Sequence, residues 1–296
     1  QHADIDVDVV CTDDLALGPS CPACLACMTA GEQACPNADN TSPARQLMDA
    51  ADLVVFATPV HSFTLSATMK RFVDHFAYLI PRPRYFGTPA VLVSTAAGAG
   101  HDAALGYLTT AIRRWGFHTV GRLGVNGPGL AKPPYREKVD LALDELAATA
   151  VRAVRDGGEP APTTSDLIGF RVARLLVESG RSDGPVDAAY WDERGWFEAD
   201  WFTGAKVGRV PNAVAGLVEG RIRKGIEEGA TVPFIARYRK EKTGELPKHD
   251  GPDAPLPAHS PMFRKAIAAI AQHTGDATRD VPTATLNLVR SALAER

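Results

Sequence analysis

The chain of 296 residues is long enough for one large domain or two of ordinary size, and its composition, 45% apolar and 23% charged, is typical of a globular protein. A formal net charge of -3 argues against a protein that binds nucleic acid through its overall charge, although a local basic patch stays open. No apolar run approaches the roughly 20 residues that span a bilayer, and the polar, acidic start lacks signal-peptide character, so we expect a cytoplasmic protein without membrane contact.

The first predicted element is a strand over residues 4–10, DIDVDVV, because acidic and apolar side chains alternate there. A loop rich in Gly, Pro and Asn follows, and it contains Cys21, Cys24, Cys27 and Cys35. Their spacing, C-x2-C-x2-C-x7-C, suits a loop that wraps around one corner of an iron–sulfur cluster. Four thiolates also suit zinc, and redox-active thiols or plain reduced cysteines are further alternatives.

Helices and strands then alternate along the chain. The predicted elements are a helix from Thr41 to Ala51 with Ser42 as its N-cap, a strand over 52–58, a helix with Leu65, Met69, Phe72, Val73 and Phe76 on one face, a strand over 90–95, a helix from Asp102, a strand over 119–125 and a helix over 136–154. This order predicts a doubly wound parallel α/β sheet, with a ligand at the carboxyl ends of the strands.

Two strand ends carry small and polar residues, PVHSFTLS after the strand over 52–58 and STAAGAG after the strand over 90–95. Both turns are small and flexible enough to approach a flat ring. Ordinary turns between a strand and a helix are the alternative interpretation of both segments.

The pattern changes at the Pro-rich stretch EPAPTT, residues 159–164, which precedes a predicted helix over 166–178 with Ser165 as its cap. The aromatic segment AAYWDERGWFEADWF follows. So many aromatic residues favour a second small core, either a cover over the main domain or a dimer contact, over a cofactor site. We expect three parts, a main domain over 1–158, a helical and aromatic tail over 165–227 that packs on it, and a basic helical appendage over 228–296.

Three motifs, CPACLACMTAGEQAC, LVVFATPVHSFTLSATMKRFVDHF and VLVSTAAGAG, carry a family resemblance. Together they resemble the flavodoxin-like NAD(P)H-dependent FMN reductases and, among these, the iron–sulfur flavoprotein branch, over about residues 4–225. The positions that match the family pattern after the second visible strand are Pro59, Ser66, Lys70 and Asp74. His61 stands in place of the usual tyrosine and His75 in place of the usual arginine.

The resemblance implies a flavodoxin-like fold that binds FMN and transfers electrons from NAD(P)H to a quinone or to another flavin. The residues implied to bind the FMN ring are Pro59, Val60, His61, Ser62, Phe63, Thr64, Thr95, Ala96, Ala97 and Gly98. The resemblance also implies a 4Fe–4S cluster as an open addition at the four cysteines, and a homodimer. A surface-loop histidine is the alternative for His61.

Compared with the family, the chain opens at what looks like the second strand. We therefore expect a sheet that lacks its first strand and the loop that holds the FMN phosphate. Either residues 4–10 pair with residues 52–58 or something else covers the gap. In both cases we expect weakened FMN binding.

The C-terminal part contains a second resemblance. Residues 228–246, EGATVPFIARYRKEKTGEL, resemble a segment of the Tex-type transcription accessory proteins. Lys and Arg outnumber Glu around this segment, so the alternative function is a non-enzymatic fusion whose basic C-terminal part binds nucleic acid. Because few aromatic residues accompany these charges, a solvated helix is the favoured interpretation, and we do not expect a nucleic-acid partner.

Overall fold

The structure, a computed structural model, describes residues 5–15, 17–18, 20–180 and 185–227. The chain divides into two units, Gln1–Ala230 and Thr231–Arg296, and all of the described residues belong to the first. The appendage predicted over 228–296 and the Tex-like segment 228–246 lie outside the described residues.

A four-stranded sheet forms the centre of the described part. Its strands are β1 (Val54–His61), β2 (Thr64–Leu65), β3 (Pro89–Ala96) and β4 (His118–Asn126), and their order in the sheet is β2-β1-β3-β4. Strands β1, β3 and β4 are parallel, whereas the two-residue β2 folds back on the end of β1 as an antiparallel hairpin. The apolar runs rich in valine that predicted buried parallel strands form β1 and β3.

Eight α-helices accompany these strands among the described residues. They are α1 (Ala26–Thr29), α2 (Ala38–Ala50), α3 (Ala67–His75), α4 (His101–Arg114), α5 (Pro133–Asp156), α6 (Thr164–Ser179), α7 (Pro185–Glu193) and α8 (Arg209–Glu227). Helices of this described set are all too short or too polar to cross a membrane.

Helices cover both faces of the sheet, and two glycines of β4 show this directly. A side chain at Gly124 would meet the ring of His101 in α4, and a side chain at Gly121 would meet Leu146 in α5. Positions 121 and 124 of a strand point to opposite faces, so α4 and α5 lie on opposite sides of the sheet. The predicted flavodoxin-like α/β class with a helical C-terminal part is confirmed.

The strand predicted over residues 4–10 is wrong for the described residues 5–10, which lie in no strand. The side chains of Ile5, Val7 and Val9 are 57%, 75% and 81% exposed. Alternation alone does not make a strand, because the backbone also needs an edge to pair with. The predicted pairing of this segment with residues 52–58 is therefore also wrong. Among the described residues, β1 pairs with β3 on one side and, on its other side, only through Val60 and His61.

Two helix starts also differ from the predictions. Helix α2 begins at Ala38 rather than Thr41, and Pro43 lies inside it. The Thr41 hydroxyl donates to the carbonyl oxygens of Asn37 and Ala38, so the first turn forms ahead of the proline. Helix α6 is capped by Thr163 instead of Ser165.

Thr163 caps α6 through a capping box. Its hydroxyl accepts a hydrogen bond from the Asp166 backbone N–H, and the Asp166 carboxylate accepts one from the Thr163 N–H at 2.9 Å. A sequence pattern of Thr or Ser followed three residues later by an acid encodes this cap, and TTSD contains it two residues before the expected Ser165.

The core on the α4 side of the sheet is aromatic. Trp115 is fully buried and contacts Phe56, Phe72 and Phe76 at ring-centroid distances of 6.2, 6.2 and 5.7 Å. Leu92, Leu108 and Ile112 complete the buried layer between β3 and α4. This core fixes where the ends of β1 and β3 lie.

The aromatic tail forms a second cluster that contacts the main domain at residues 81–86. Trp191 donates its indole N–H to the Pro81 carbonyl at 2.6 Å, and the Tyr190 hydroxyl donates to the Pro83 carbonyl at 2.8 Å. Phe86 stacks on Phe202 with ring centroids 5.0 Å apart. The indole of Trp191 and the hydroxyl of Tyr190 thus anchor the tail to this segment.

A buried carboxylate joins α6 to α8. The carboxylate of Glu219 in α8 accepts from Arg171 at 2.6 Å and from Arg174 at 2.7 and 2.9 Å. Burial alone raises the pKa of Glu219, but the hydrogen bonds and charges of the two arginines outweigh it and hold that pKa below its ordinary value. Arg174 also donates to the carbonyl of Phe197, so the network ties both helices to the aromatic segment.

We expect Glu219→Gln to lower the free energy of unfolding by about 3 kcal/mol at pH 7, because two buried guanidinium groups lose their carboxylate. A lowered folded-state pKa means that the carboxylate stabilises the fold above its ordinary pKa of 4.5 and loses this effect as the pH falls below that value. Urea unfolding of both proteins between pH 7 and pH 3 should therefore show a difference that shrinks at the acid end.

The matched control is Glu178→Gln, because Glu178 pairs only at 3.3 Å with the exposed Arg223. This variant should change the unfolding free energy by less than about 1 kcal/mol. Equal losses in the two variants would contradict a special role for the buried network.

Candidate functional site

The turn after β1 is strained. Ser62 and Phe63 connect β1 to β2 and have φ values of 48° and 67°. Positive φ at both central residues is the geometry of a two-residue type I′ hairpin, which Asn and Gly adopt most easily. For side chains such as these the left-handed region costs roughly 1–2 kcal/mol per residue. In this strained turn the Phe63 side chain is 72% exposed.

The turn after β3 touches this hairpin. Pro59 of β1 and Thr95 of β3 are register partners, so both strands end at the same level. Gly100, with φ 104°, ends the second turn, and a side chain there would come within 2.8 Å of the Phe63 Cα and within 2.7 Å of Val60. Only glycine allows this close approach at this backbone conformation.

The ten residues predicted to bind the FMN ring therefore lie in two strand ends and turns that contact each other. All of them are exposed except Val60, which is half-buried, and Ala96, which is buried. Thr95 and Ala97 carry small exposed side chains, and a side chain at Gly98 would meet no atom within 4 Å. Which of these residues touch a ligand remains a prediction.

Two hydroxyl groups fix the helix that follows each turn. Thr58 of β1 contacts the Ser66 hydroxyl at 3.3 Å, and Ser66 caps α3 by accepting from the Met69 N–H at 3.2 Å. Ser94 of β3 contacts Nδ1 of His101, the first residue of α4, at 2.7 Å. Thr58 and Ser94 are themselves register partners, so the two pairs form one polar row across the sheet.

The end of β4 adds a third group to this edge. The Asn126 side-chain amide donates to the Ala97 carbonyl at 3.4 Å and accepts from the Gly129 N–H at 2.8 Å. The backbone N–H of Asn126 donates to the Tyr135 hydroxyl at 2.8 Å. A cleft of about 580 Å³ next to Tyr135 is lined by Lys132 and Lys138.

Ser94, His101, Asn126 and Tyr135 were not predicted from the sequence. Asn126 had a usable signal, since a polar residue directly after a predicted strand lies at the ligand edge of such a sheet. Ser94 and His101 had none, because their contact depends on the close packing of the His101 ring on Gly124.

The cysteine loop has an unusual backbone. Ala23 and Leu25, which separate the first cysteines, have φ values of 53° and 59°. Burial raises the pKa of the Cys27 thiol, the nearby thiols of Cys35 and Cys21 raise it further, and Arg82 opposes them. The thiols of Cys21, Cys27 and Cys35 thus lie near enough to influence one another, and Cys21 and Cys24 are exposed.

These thiols are not arranged as a finished metal site. Within the described part of the chain, no three His, Cys, Asp or Glu side chains are close enough to share a metal ion. The loop as placed therefore does not fit a cluster or a zinc ion, and no chemical step is assigned to one. The ligand prediction for the four cysteines stays a prediction.

The buried side chain of Arg82 binds the backbone of the cysteine loop. Its side chain is only 4% exposed, and Nη2 donates to the Cys27 carbonyl at 2.6 Å. Asp187 of α7 lies 3.4 Å from Nε and Glu32 of the loop 3.7 Å from Nη2. Burial raises the pKa of Asp187, and Arg82 opposes that shift. A cleft of about 380 Å³ opens beside this group, lined in part by Glu32, Arg82 and Tyr190.

Comparisons with known proteins agree with both resemblances. Residues 1–128 match the model of the NADPH-dependent FMN reductase family, and residues 219–250 match the model of the Tex-like protein N-terminal domain. An iron-sulfur flavoprotein of Archaeoglobus fulgidus is 24% identical over 177 residues, which cover 60% of this chain and 79% of the relative. The predicted resemblances are confirmed, and the matched residues 1–128 contain the cysteine loop and both converging turns.

The strained hairpin leads to a stability prediction. Phe63→Gly should raise the free energy of unfolding by about 1 kcal/mol, because glycine adopts the left-handed conformation without a steric cost. Urea unfolding of the purified protein measures this change. Thr64→Gly, one residue later in β2, is the matched control and should lower stability by about 0.5–1 kcal/mol. A loss of stability in Phe63→Gly would show that the exposed ring, rather than the backbone, decides the energy of this turn.

Proposed function

We propose that this protein is an FMN-dependent NAD(P)H oxidoreductase that reduces a quinone or another flavin. The observation that carries the proposal is the direct contact between the turns after β1 and β3, within the part of the chain that matches the FMN reductase family. When bound, FMN supplies the chemistry by accepting a hydride from the nicotinamide and passing the electrons on.

The residues proposed to hold the flavin ring are the ten predicted ones, in two groups. Backbone N–H groups and the hydroxyls of Ser62 and Thr64 offer hydrogen bonds to the polar edge of the ring. The small residues Ala97 and Gly98 leave room for its flat face. Support comes from the exposure of these residues and from the strained, outward-facing Phe63.

The two turns offer fewer favourable contacts to the flavin phosphate than to the flavin ring. The turns PVHSFT and TAAGAG contain no Lys or Arg, and Asp102 follows in the first turn of α4, where its charge repels an anion. We therefore keep the expectation of weak FMN binding, and we propose that FMN and riboflavin bind with similar affinity.

We propose that the phosphates of NAD(P)H lie near Lys132 and Lys138. The cleft that they line is at the same edge of the sheet as the ring site, because Tyr135 joins it to the end of β4. Ammonium groups attract phosphate as point charges and do not need a fixed geometry. The choice between NADH and NADPH is left open.

We also propose that the protein is a cytoplasmic homodimer. Support for the dimer comes from β1, whose edge from Val54 to Pro59 is unpaired among the described residues and whose Val55 side chain is 55% exposed. An open parallel edge next to apolar side chains is energetically costly, and pairing with a second copy of the chain satisfies its N–H and C=O groups.

A substitution in the second turn tests the flavin site. A side chain at Gly98 meets no neighbour within 4 Å, so Gly98→Val should fold normally while it occupies the space proposed for the ring. We expect its FMN Kd to rise at least about tenfold, measured by the loss of flavin fluorescence on titration. In the parent protein, anaerobic NADPH should bleach the flavin band at about 450 nm.

Gly204→Val is the matched control, because Gly204 also has no neighbour within 4 Å and lies in the aromatic tail. It should leave the FMN Kd unchanged. A protein that binds neither FMN nor riboflavin, and instead binds DNA with an affinity that falls steeply with salt, would favour the alternative function of nucleic-acid binding.

The prediction that the four cysteines are cluster ligands, which the loop in this structure does not fit, has its own test. After anaerobic reconstitution with iron and sulfide, Cys24→Ser should lack the broad iron–sulfide absorption while it keeps the flavin bands. Cys11→Ser is the matched control, since Cys11 is exposed and lies outside the spaced run, and it should keep both signals. Metal analysis that finds zinc, or equal spectra for the two variants, would contradict the cluster.

A further inference from the structure

Ser94 and His101 form a hydrogen-bonded pair that the proposed flavin site does not use. The Ser94 hydroxyl and His101 Nδ1 are 2.7 Å apart, and Ser94 is completely buried. His101 is half-buried at the first position of α4. A serine hydroxyl donates to a neutral imidazole nitrogen and accepts from a protonated one, so this contact persists in both protonation states.

The imidazole ring is held in place by the sheet. A side chain at Gly124 would come within 2.7–3.0 Å of the Cγ, Nδ1 and Cβ atoms of His101, so the imidazole ring packs directly on the backbone of β4. Only Nδ1 has a hydrogen-bond partner among the described residues. Nε2 is therefore open to a group other than the described residues.

The position of this ring relates it to the two turns. His101 follows Gly100, the residue that lies against the Phe63 backbone where the turns meet. Its partner Ser94 immediately precedes Thr95, a predicted ring contact. His101 thus lies next to the point where the two turns meet, at the carboxyl end of β3.

Reduction of a quinone, one of the proposed acceptors, requires a proton at the acceptor. Reduction of a quinone follows NAD(P)H + H⁺ + quinone → NAD(P)⁺ + hydroquinone, in which both quinone oxygens gain a hydrogen. Reduction of ferricyanide follows NAD(P)H + 2 ferricyanide → NAD(P)⁺ + H⁺ + 2 ferrocyanide, in which the acceptor takes up electrons alone. Only the first reaction consumes a proton.

We propose that His101 donates a proton from Nε2 to the electron acceptor, and that Ser94 is a positioning residue. The donor form is the imidazolium, in which Nδ1–H donates to the Ser94 hydroxyl, and transfer of the Nε2 proton leaves a neutral ring with its hydrogen on Nδ1. Solvent returns the donated proton to the half-exposed ring after each turnover. This inference rests on the proposed function, since it concerns the acceptor half of the same reaction.

The first experiment compares two acceptors in one protein. FMN-loaded enzyme is reduced with NADPH and then mixed in a stopped-flow instrument with either benzoquinone or ferricyanide. We expect His101→Gln to slow reoxidation by the quinone about 100-fold, the size typical for a general acid, and to leave reoxidation by ferricyanide unchanged. Ser94→Ala should slow the quinone reaction about tenfold through loss of the hydrogen bond that orients the ring.

The matched control is His118→Gln, because His118 lies at the opposite end of the sheet, at the start of β4. It should change neither reaction. Equal slowing of both acceptors in His101→Gln, or no slowing of either, would overturn the role of His101. Absence of any NADPH-dependent reduction in the parent protein would instead refute the proposed function, so the two failures are distinguishable.

A second measurement needs no flavin. The nitrogen-15 shifts of His101 in the cofactor-free protein report which ring nitrogen carries the hydrogen. We expect the neutral ring to carry its hydrogen on Nδ1 in the parent protein and to show a mixture of tautomers in Ser94→Ala. A neutral ring with its hydrogen on Nε2 in the parent protein would overturn the assignment of Nε2 as the proton donor.

Discussion

The contact between Gly100 and the Phe63 backbone is the constraint on which the candidate site depends. Parallel pairing of β1 with β3 brings the ends of both strands to the same level, but it does not bring their turns into contact. That contact requires a residue without a side chain at φ 104° on one turn and two left-handed residues on the other. The strain in the hairpin is balanced by the surrounding pairing and packing, and it keeps an aromatic ring exposed at the edge of the site.

Sequence patterns predicted those helices and strands that are marked by an apolar run or by a regular spacing of apolar residues. The valine-rich runs became β1 and β3, and the helical periodicity predicted α4 and α5, although Leu143, expected on the inner face of α5, is exposed. Residues 5–10 failed because the same alternation that describes a strand says nothing about a partner edge. The start of α2 failed because Thr41 stabilises an earlier turn through its hydroxyl, which outweighs the usual preference for proline near a helix start.

The candidate site likewise contains features that could be predicted from the sequence and features that could not. The two turns were predictable, since small and polar residues directly follow apolar strands and strand ends meet at one edge. The Ser94–His101 pair was not, because it depends on Gly124, which is distant in sequence and adjacent only through the register of β3 and β4. The support of the cysteine loop by Arg82 depends in turn on a hydrogen bond across 55 residues of chain, which no local pattern encodes.

Arg82 also explains why the aromatic tail and the cysteine loop belong to one structural unit. A guanidinium group that is almost fully buried is costly unless carboxylates and carbonyl oxygens surround it. The loop supplies the Cys27 carbonyl and Glu32, whereas the tail supplies Asp187. Neither half alone compensates the charge, and the indole of Trp191 holds Pro81, next to Arg82, at 2.6 Å. Helix α7 therefore helps to position the cysteine loop, because its Asp187 pairs with the arginine that binds the Cys27 carbonyl. The tail thus influences the surroundings of the thiols although it contributes no thiol of its own.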